Sequence, residues 1–362
     1  GVQDLVYKPG QSLTEFLQWD LIKNVFRLDV FRSIRSHVTK YFKDERLRQL
    51  MEFPVLFLGA LPQNTPALYS LMNYADVIGG TWYPKGGMYE VVKAMQKLAE
   101  GQGVKFRFGE EANEIVVQKK KARKLVTVKN EYTADVIISG ADYHFTEFNL
   151  LPSASRSYKE NYWAGKVVAP SCLLFYVGLN KKLKNILHHS LFFDVPFEKH
   201  AEEIYLKPQW PDEPLFYLSV TSKTDPTVAP VGCENMVILI PVAPGLKNDS
   251  EELREHYFQK IVHRLEKHTN QSITDAIIYK KTFSVSDFER EYHSYRGNAY
   301  GLANTLSQTA IFRPSCRSKK VKNLFYTGQF TVPGSGVPPS LISGEVVSNQ
   351  VLKYFNSEDD SY

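Results

Sequence analysis

Hydrophobic residues between positions 21 and 51 recur every three or four residues, and basic residues stand between them. This spacing predicts an amphipathic helix, whose apolar side either packs on the protein core or lies in the interface of a bilayer. The helix is part of a helical region that we expect over residues 12–53. The apolar positions are Leu21, Val25, Leu28, Phe31, Ile34, Val38, Phe42, Leu47 and Leu50.

The next stretch, residues 54–80, is apolar but interrupted by Pro54, Pro62 and Pro66, which predicts short helices and turns rather than a sheet. From Val104 the period changes to two, and we expect a strand through Phe106 and Phe108.

A hairpin is predicted where strand patterns flank the basic run 119–124 closely on both sides. The run is therefore interpreted as a solvated turn rather than a nucleic-acid patch. The strands of this hairpin and the buried strand that returns after it are expected at residues 115–117, 125–128 and 134–138.

Residues 153–322 form a second region of strands and helices. Buried strands are expected at residues 171–179 and 237–241, and a helix at 249–268 with Asp249 as its cap and Glu252 completing a capping box. His188 and His189 are neighbours, and adjacent residues on a strand point to opposite faces. Since no Cys, Asp or Glu stands at ligand spacing, we predict no metal site.

The C-terminal stretch carries the strongest signal of a binding site. A strand at residues 324–327 leads into a loop rich in glycine and proline, residues 328–340, and then into a helix through Phe355. Gly334 and Gly336 let the backbone approach a flat ligand closely. The helix N-terminus supplies positive potential for a phosphate or an anionic ring.

Composition adds limits to this picture. The length of 362 residues suits two domains, and 43% hydrophobic with 23% charged residues is ordinary for a folded protein. The net charge of +5 favours anionic lipid without demanding nucleic acid. No run of about 18 apolar residues occurs, so we expect no spanning helix. Three widely spaced cysteines indicate a reducing compartment.

The segment Gly328 to Glu345, preceded by Ala310-Ile311-Phe312-Arg313-Pro314, resembles the C-terminal signature of bacterial-type phytoene desaturases, which are FAD-dependent carotenoid desaturases. The resemblance extends over nearly the whole chain. Its further parts are Asp44 to Gln49, Trp82-Tyr83-Pro84-x-Gly86-Gly87, Glu111 to Ile115 and Ala134 to Asp142. The double glycine and the strand pair after it are shared with many flavin amine oxidases.

The resemblance implies an α/β fold of mixed α+β type. A FAD-binding Rossmann-type domain of the flavin amine oxidase superfamily is expected, incomplete and interleaved with a mixed sheet-and-helix substrate domain. Its Gly-x-Gly-x-x-Gly turn is expected upstream of Gly1, so this chain alone is expected to bind FAD weakly and to be inactive. The predicted segments are 1–80 and 153–322 for substrate, 81–152 and 323–356 for FAD, and 357–362 as a tail.

By resemblance, three parts of the chain contact FAD. Gly328 and Gln329 are expected beside the ribityl chain, although the family often has an acidic or small residue at the second position. Gly336, Val337 and Pro338 are expected at the isoalloxazine, with the Val337 N–H near its pyrimidine edge. The remaining contacts are implied for Ala112 at the adenine and for Ala141 and Asp142 at the end of the returning strand.

The activity implied is desaturation of phytoene or a related C40 carotenoid toward lycopene, with hydride transfer to FAD. No catalytic residue is assigned: Glu15, Asp20 and Glu345 are candidate proton acceptors, and nothing in the sequence selects among them. The expected location is cytoplasmic, peripherally attached to the inner face of the cell membrane, with no nucleic-acid partner.

Two alternatives remain at this stage. One is another flavin oxidase of the superfamily, acting on an amine or a porphyrinogen. Many amine oxidases attach the flavin through a cysteine near the C-terminus, and no cysteine follows Cys316. The other alternative is a non-catalytic protein that binds isoprenoids or membranes.

Overall fold

The structure is a computed structural model that describes residues 6–10, 12, 32–58 and 61–359. The chain divides into two compact units, each built from separate stretches of sequence. The first unit comprises Gly1–Val77, Gly109–Ala169 and Glu289–Tyr362, and the second comprises Ile78–Phe108 and Pro170–Phe288. The predicted domains have other boundaries, but they are defined by the ligand that each segment contacts, so that assignment stays a prediction.

Helices and strands both contribute to the described residues, as the expected mixed fold requires. The α-helices are α1 (Ile34–Tyr41), α2 (Glu45–Glu52), α3 (Leu71–Tyr74), α4 (Tyr89–Gly101), α5 (Tyr143–Phe145), α6 (Glu160–Ala164), α7 (Phe197–Tyr205), α8 (Glu251–Thr269), α9 (Val285–Tyr292) and α10 (Val337–Asp359). The strands are β1 (Ala112–Gln118), β2 (Lys121–Thr127), β3 (Glu131–Thr133), β4 (Ile137–Ser139), β5 (Ser171–Leu179), β6 (His189–Phe192), β7 (Phe216–Ser219), β8 (Glu234–Val242), β9 (Ile277–Phe283) and β10 (Leu324–Tyr326).

Two small sheets lie in the first unit. Strands β1, β2 and β3 form an antiparallel sheet, and the turn between β1 and β2 places Lys119 and Lys120 at φ of 50° and 60°. Left-handed conformation at both central residues is typical of a two-residue hairpin turn, so the predicted hairpin is confirmed. The turn is shorter than predicted, because Lys121 to Lys124 of the basic run belong to β2. Strand β10 pairs in parallel with β4, from Leu324 opposite Ile137 to Tyr326 opposite Ser139.

Buried aromatic side chains hold this parallel pair in place. The ring of Tyr326 on β10 stacks on Tyr143 with centroids 3.8 Å apart, and Tyr143 contacts the buried ring of Trp163. On the other side of β10, Phe325 packs in a cluster with Val346 and Val347 of α10. Fully burying a side chain of this size contributes roughly 1.5–3 kcal/mol, so β10 is anchored on both of its faces.

The second unit contains a five-stranded antiparallel sheet in the order β6-β7-β8-β5-β9. Side chains along β8 alternate strictly between buried and half-buried, which is the pattern of a strand with one face on the core. The buried face packs on α8 through Phe258, Ile261 and Leu265. The strands predicted at 171–179 and 237–241 are therefore confirmed.

The chain between residues 53 and 79 also agrees with its sequence pattern. Short helical turns occur at Phe53–Leu58, Ala67–Ser70 and Ala75–Gly79, and the described residues of this stretch form no strand. Among the helices that the structure describes, none is long and apolar enough to cross a bilayer.

The single amphipathic helix predicted over residues 21–51 is wrong in its described part. Helix α1 ends before Phe42, and Asp44 starts α2 by accepting hydrogen bonds from the N–H groups of Arg46 and Leu47. An aspartate that satisfies two first-turn donors is a strong helix start, and this local preference outweighs the continuing apolar period. Residues 21–31 lie outside the described residues.

The strand predicted through Val104, Phe106 and Phe108 is absent from the described structure. These residues have no ladder with any described strand, and the Val104 N–H instead donates to Ala99 O at the end of α4. Alternating side chains predict a strand only where a neighbouring backbone supplies partners. The aromatic rings of Phe106 and Phe108 stack on each other with centroids 5.8 Å apart.

The cap predicted for the long helix is shifted by one residue. Ser250, not Asp249, is the N-cap of α8, and its hydroxyl accepts from the Leu253 N–H. Asp249 is instead held by Arg254 at 2.8 Å and by the Ser286 N–H at 2.9 Å. A buried arginine competes successfully for the carboxylate because charge-assisted hydrogen bonds are stronger than neutral ones.

The histidine pair does not follow the expected alternation. The rings of His188 and His189 stack with centroids 4.1 Å apart, although the Val220 N–H donates to His188 O and so continues the pairing of β6 with β7. Their Nδ1 atoms bond the Thr224 and Tyr217 hydroxyls. Among the described residues, no group of three or more His, Cys, Asp or Glu side chains is placed to hold a metal ion.

Candidate functional site

The glycine-rich loop follows β10 directly and adopts a conformation that depends on two of its glycines. Gly328 has φ of +97° and Gly336 has φ of +117°, which side-chain-bearing residues rarely adopt. A Cβ built on Gly328 has no atom within 4 Å, so this glycine borders open space. A Cβ on Gly336 lies 3.3 Å from Pro339 Cδ. Gly328 thus leaves room for a ligand, whereas Gly336 lets the chain enter α10.

A buried serine of α10 fixes the start of this loop. The Ser343 hydroxyl accepts from the Gly328 N–H at 2.8 Å, bonds the Thr327 hydroxyl at 2.7 Å and donates to Ser340 O at 2.7 Å. The sequence analysis did not find Ser343. Its role depends on which side of α10 faces β10, and the loose apolar pattern of this helix does not reveal that.

The first turn of α10 offers few free donors. Pro338 and Pro339 have no N–H, and the Ser340 N–H donates to Gly336 O. The Val337 N–H is left at a helix terminus of positive potential, and the Val337 side chain is 58% exposed. This arrangement suits the contact predicted for Val337 with an electron-rich ring edge, and Pro338 follows it in the same turn.

Gln329 contacts the protein through its backbone. Its carbonyl accepts from Arg313 Nη1 at 3.1 Å, and a Cβ on Gly301 would lie 2.8 Å from the same oxygen. From the sequence, Arg313 was recognised only as part of a family motif, without a role of its own. A buried cation on a loop carbonyl has no local sequence signature, because the two residues meet only in the fold.

Ala141 and Asp142 follow β4, as Gly328 and Gln329 follow β10. The carboxyl ends of parallel strands share one edge of the sheet, and the Thr327 N–H donates to Ser139 O at 3.0 Å across it. The structure therefore brings Ala141 to the same sheet edge as Gly328.

Both carboxylate oxygens of Asp142 are engaged by the protein. They accept from the N–H groups of Phe145 and Tyr295 at 3.0 and 2.9 Å. Burial raises the pKa of this carboxyl above its ordinary value, and the two N–H donors oppose the rise. Asp142 thus shapes the turn after β4, and its predicted contact with the cofactor stays a prediction.

Ala112 lies apart from these residues, at the first position of β1. It is half-buried and packs on the aromatic core of the first unit. No contact of the described residues joins it to the loop, and its predicted backbone contact with adenine stays a prediction.

In the second unit, the turn at Gly86 and Gly87 is bonded to another part of the protein. The Gly86 N–H donates to Asp225 Oδ2 at 2.6 Å, and both Gly86 and Gly87 have φ near +100°. The hydrogen bonds from Thr227 and Gly86 lower the pKa of Asp225. The turn is therefore packed tightly around an internal carboxylate.

The candidate proton acceptors do not converge on the loop in the described residues. Glu345 is exposed on α10. Glu15 and Asp20 lie outside the described residues. The catalytic base thus stays unassigned.

Comparison with known protein families agrees with this geometry. The family model described as flavin containing amine oxidoreductase matches residues 26–352 of the 362. The chain belongs to the flavin-containing amine oxidoreductase family. Its cofactor is a flavin, in agreement with the predicted FAD, and it is an oxidoreductase. The residues present suit FAD, because Gly328 borders open space and Val337 offers an N–H at a helix terminus.

Curated relatives of this flavin-containing amine oxidoreductase include carotenoid desaturases. The carotenoid 3,4-desaturase of Haloarcula japonica is 39% identical over 350 residues, which cover 96% of this chain and 70% of that protein. The zeta-carotene-forming phytoene desaturase of Myxococcus xanthus is 28% identical over 364 residues, covering 98% of this chain and 68% of that protein. The resemblance derived from the C-terminal motif is confirmed.

Solved structures agree on the fold of this oxidoreductase. An oxidoreductase from Methanosarcina mazei superposes with a TM-score of 0.59 at 16% identity and covers 94% of this chain and 75% of its own. Putrescine oxidase with bound putrescine gives 0.55 at 11% identity, covering 98% and 72%. At such identities the likeness supports the fold alone, and the predicted fold class is confirmed.

Proposed function

We propose that this chain contributes the FAD loop and the polyene-binding sheet of a carotenoid desaturase acting on phytoene or a related C40 carotenoid, toward lycopene. The observation that carries the proposal is the 39% identity to a carotenoid 3,4-desaturase over nearly the whole chain. The similarity to a zeta-carotene-forming phytoene desaturase supports phytoene as a substrate.

Desaturation removes a hydride and a proton from neighbouring carbons of a single bond, so a polyene must be held still beside an acceptor. Bound FAD supplies a two-electron acceptor for the hydride. Gly328 leaves the space for the cofactor and Val337 offers an N–H to its ring, while Ser343 keeps the loop in place. In cofactor-dependent reactions, the protein contributes mainly by positioning the substrate and the cofactor.

An apolar row across the five-stranded sheet supports a polyene substrate. Residues paired directly across neighbouring strands share one face, and the register places five apolar residues side by side on the face opposite the core. At about 4.8 Å per strand the row is about 19 Å long, which matches a large part of an extended C40 chain. The row is Leu191, Tyr217, Leu239, Leu174 and Phe283.

None of these five side chains is fully buried, and Leu191 is 36% exposed. The other four are half-buried, and Phe283 packs on the ring of Phe288. The row thus offers a partly open apolar surface to an elongated hydrocarbon. The aromatic ring of Tyr217 lies in the row while its hydroxyl bonds His189. Such a surface binds by area and shape rather than by directed hydrogen bonds.

The proposal is tested with the flavin-loaded protein, carotenoid-containing liposomes and an electron acceptor. Each new conjugated double bond moves the absorption band to longer wavelength, and chromatography identifies the product. Leu239→Asp is expected to lower turnover at least about tenfold with unchanged flavin content, because a charge at the centre of the row must be desolvated. Val231→Asp, at an exposed turn, is the control.

Two results would contradict the proposal: oxidation of amines in place of carotenoids, or full carotenoid turnover in Leu239→Asp. Oxidation of amines or porphyrinogens is not favoured, because the likeness to putrescine oxidase is limited to the fold. Putrescine in the same assay tests that alternative directly.

We further propose that the protein works in the cytoplasm, attached peripherally to the inner face of the cell membrane. Its substrate class is nearly insoluble in water. The supporting observation is a surface patch at α1 and α2 where Tyr41 is 69%, Leu47 45% and Leu50 48% exposed, with Lys43 and Arg46 beside them. Apolar side chains with basic neighbours suit an anionic bilayer surface.

A further inference from the structure

The guanidinium of Arg313 is enclosed by neutral acceptors. The side chain is only 4% exposed. Its Nη1 donates to Gln329 O at 3.1 Å and contacts Phe330 O at 3.4 Å, and its Nη2 donates to Leu302 O at 3.1 Å and to Asn304 Oδ1. Four neutral oxygens therefore surround one positive charge.

This charge has no counter-ion in the part of the chain that the structure describes. No described carboxylate pairs with Arg313, and its buried Nε has no hydrogen-bond partner. Burial lowers the pKa of Arg313 to about 10, which still leaves the group charged at neutral pH. Proteins rarely keep a buried charge without a partner, because desolvation is costly. Retention of such a charge points to a use beyond packing.

The glycine-rich loop is folded around this guanidinium. Gln329 and Phe330, whose carbonyls bind Arg313, come directly after Gly328. Further along, Gly334 has φ of +143°, and a Cβ there would lie 2.9 Å from Asn304 Oδ1 and 3.1 Å from Arg313 Nη2. Only a glycine allows this approach. Arg313 therefore lies against the loop at its start and again at Gly334.

We propose that Arg313 is the positioning residue of the flavin loop and that its positive charge, which has no counter-ion among the described residues, favours the reduced cofactor. A hydride adds one negative charge to the acceptor ring. A fixed positive charge in a region of low dielectric stabilises that charge without reorganisation. The inference rests on the assignment of the loop to FAD, but it does not depend on the substrate.

The test uses FAD affinity and flavin midpoint potential, both measured without carotenoid on the protein that includes the upstream segment implied by the resemblance. Arg313→Lys keeps the charge but loses the forked geometry of the guanidinium. It is expected to weaken FAD binding about tenfold, which equals about 1.4 kcal/mol, with a potential close to that of the parent. Arg313→Met lacks both charge and donors, so it is expected to bind FAD still more weakly and to show a more negative potential.

A matched control is Arg317→Gln, four residues further on. Arg317 donates to Lys322 O through Nε and Nη2 and has no contact with the loop. This variant is expected to keep both the parent affinity and the parent potential. If Arg313→Met does not fold, Arg313→Gln, which keeps a donor but no charge, replaces it.

Two results would overturn the inference. One is an Arg313→Met or Arg313→Gln protein whose flavin has the parent potential, and the other is parent FAD affinity in Arg313→Lys. Gly328→Val separates this failure from failure of the site itself, since φ of +97° disfavours valine there. Normal FAD binding in Gly328→Val would remove the loop from the cofactor site, and the role of Arg313 with it.

Discussion

Single residues determine the candidate site through backbone conformation and through buried polar groups. Gly328 and Gly336 both have positive φ, but the first borders open space and the second touches Pro339. Sequence reasoning found both glycines, because strand, glycine and proline follow one another along the chain. It missed Ser343, Asn304 and Arg313, whose partners are distant in sequence or on another element.

In the full-length protein, Gly336→Val is expected to abolish flavin binding while the five-stranded sheet of the second unit stays folded. Valine at φ of +117° is strained, and its Cβ would lie 3.3 Å from Pro339, so the entry into α10 must shift. Flavin absorbance of the purified protein, with circular dichroism for folding, measures both effects. Gly344→Ala, an exposed position of α10 with nothing within 4 Å, is the control and should keep its flavin. Normal flavin content in Gly336→Val would contradict the assignment.

His200 predicts a dependence of stability on pH in the second unit. Burial lowers its pKa to about 4, and its neutral ring accepts from the Leu215 N–H and donates to Pro241 O. The unfolded chain binds a proton near pH 6.5, so stability from this group is present above that pH and is lost as pH falls toward 4. At pH 5 this group makes the free energy of unfolding about 2 kcal/mol lower than at pH 7.

Urea unfolding at pH 7 and pH 5 checks this expectation. In His200→Gln the free energy of unfolding should fall less from pH 7 to pH 5, by about 2 kcal/mol, because the group that titrates is gone. His256→Gln, at an exposed position of α8, should keep the drop of the parent. An equal drop in His200→Gln would show that other groups cause it.

At the level of helices and strands, the hydrophobic period was informative wherever one face of an element meets the core of its own unit. Strands β5 and β8 were found in this way. The period failed at Phe42 to Asp44, where a capping carboxylate ends one helix and starts another, and at residues 104–108, where the alternation lacks a described partner strand. Hydrogen-bond partners, not side-chain pattern, decided both cases.

Ser250→Ala is expected to destabilise the second unit by about 1 kcal/mol, because the Leu253 N–H loses its acceptor at the start of α8. The change is read from the midpoint of urea unfolding. Ser153→Ala replaces an exposed serine outside the α-helices and should leave the midpoint unchanged. An unaltered midpoint in Ser250→Ala would show that Asp249, as the sequence suggested, starts the helix.

For the whole molecule, the sequence motifs located the family and the cofactor but not the compact units. Each unit is assembled from separate stretches, and which stretches belong together is decided by contacts such as the pairing of β4 with β10. A motif search follows the chain in order, so it places boundaries where motifs begin and end. Residues 78–108 show the difference, because they group with residues 170–288.

Membrane attachment is expected to depend on the surface patch at α1 and α2. Arg35 is unsuitable for a test by substitution, since it pairs with the buried Glu52 at 2.7 Å. A variant with Lys43→Gln, Arg46→Gln, Leu47→Ser and Leu50→Ser should bind anionic liposomes at least about tenfold more weakly, with less sensitivity to salt. Flotation of the protein with liposomes gives the bound fraction.

Arg123→Gln with Lys129→Gln removes two basic charges from the hairpin sheet and serves as the matched control. It should float like the parent. Equal flotation of the patch variant would place the attachment elsewhere on the protein.

The parallel pairing of β4 with β10 has a consequence for synthesis. Residues 137–139 leave the ribosome long before residues 324–326, whereas the second unit is complete at residue 288. At about 5–20 residues per second, its sheet has roughly two to seven seconds to form before β10 is even translated. The loop after β10 is therefore completed late, and until then β4 lacks the partner strand that it has among the described residues. Yield in a heterologous host should respond more to slow translation and chaperones than to added riboflavin.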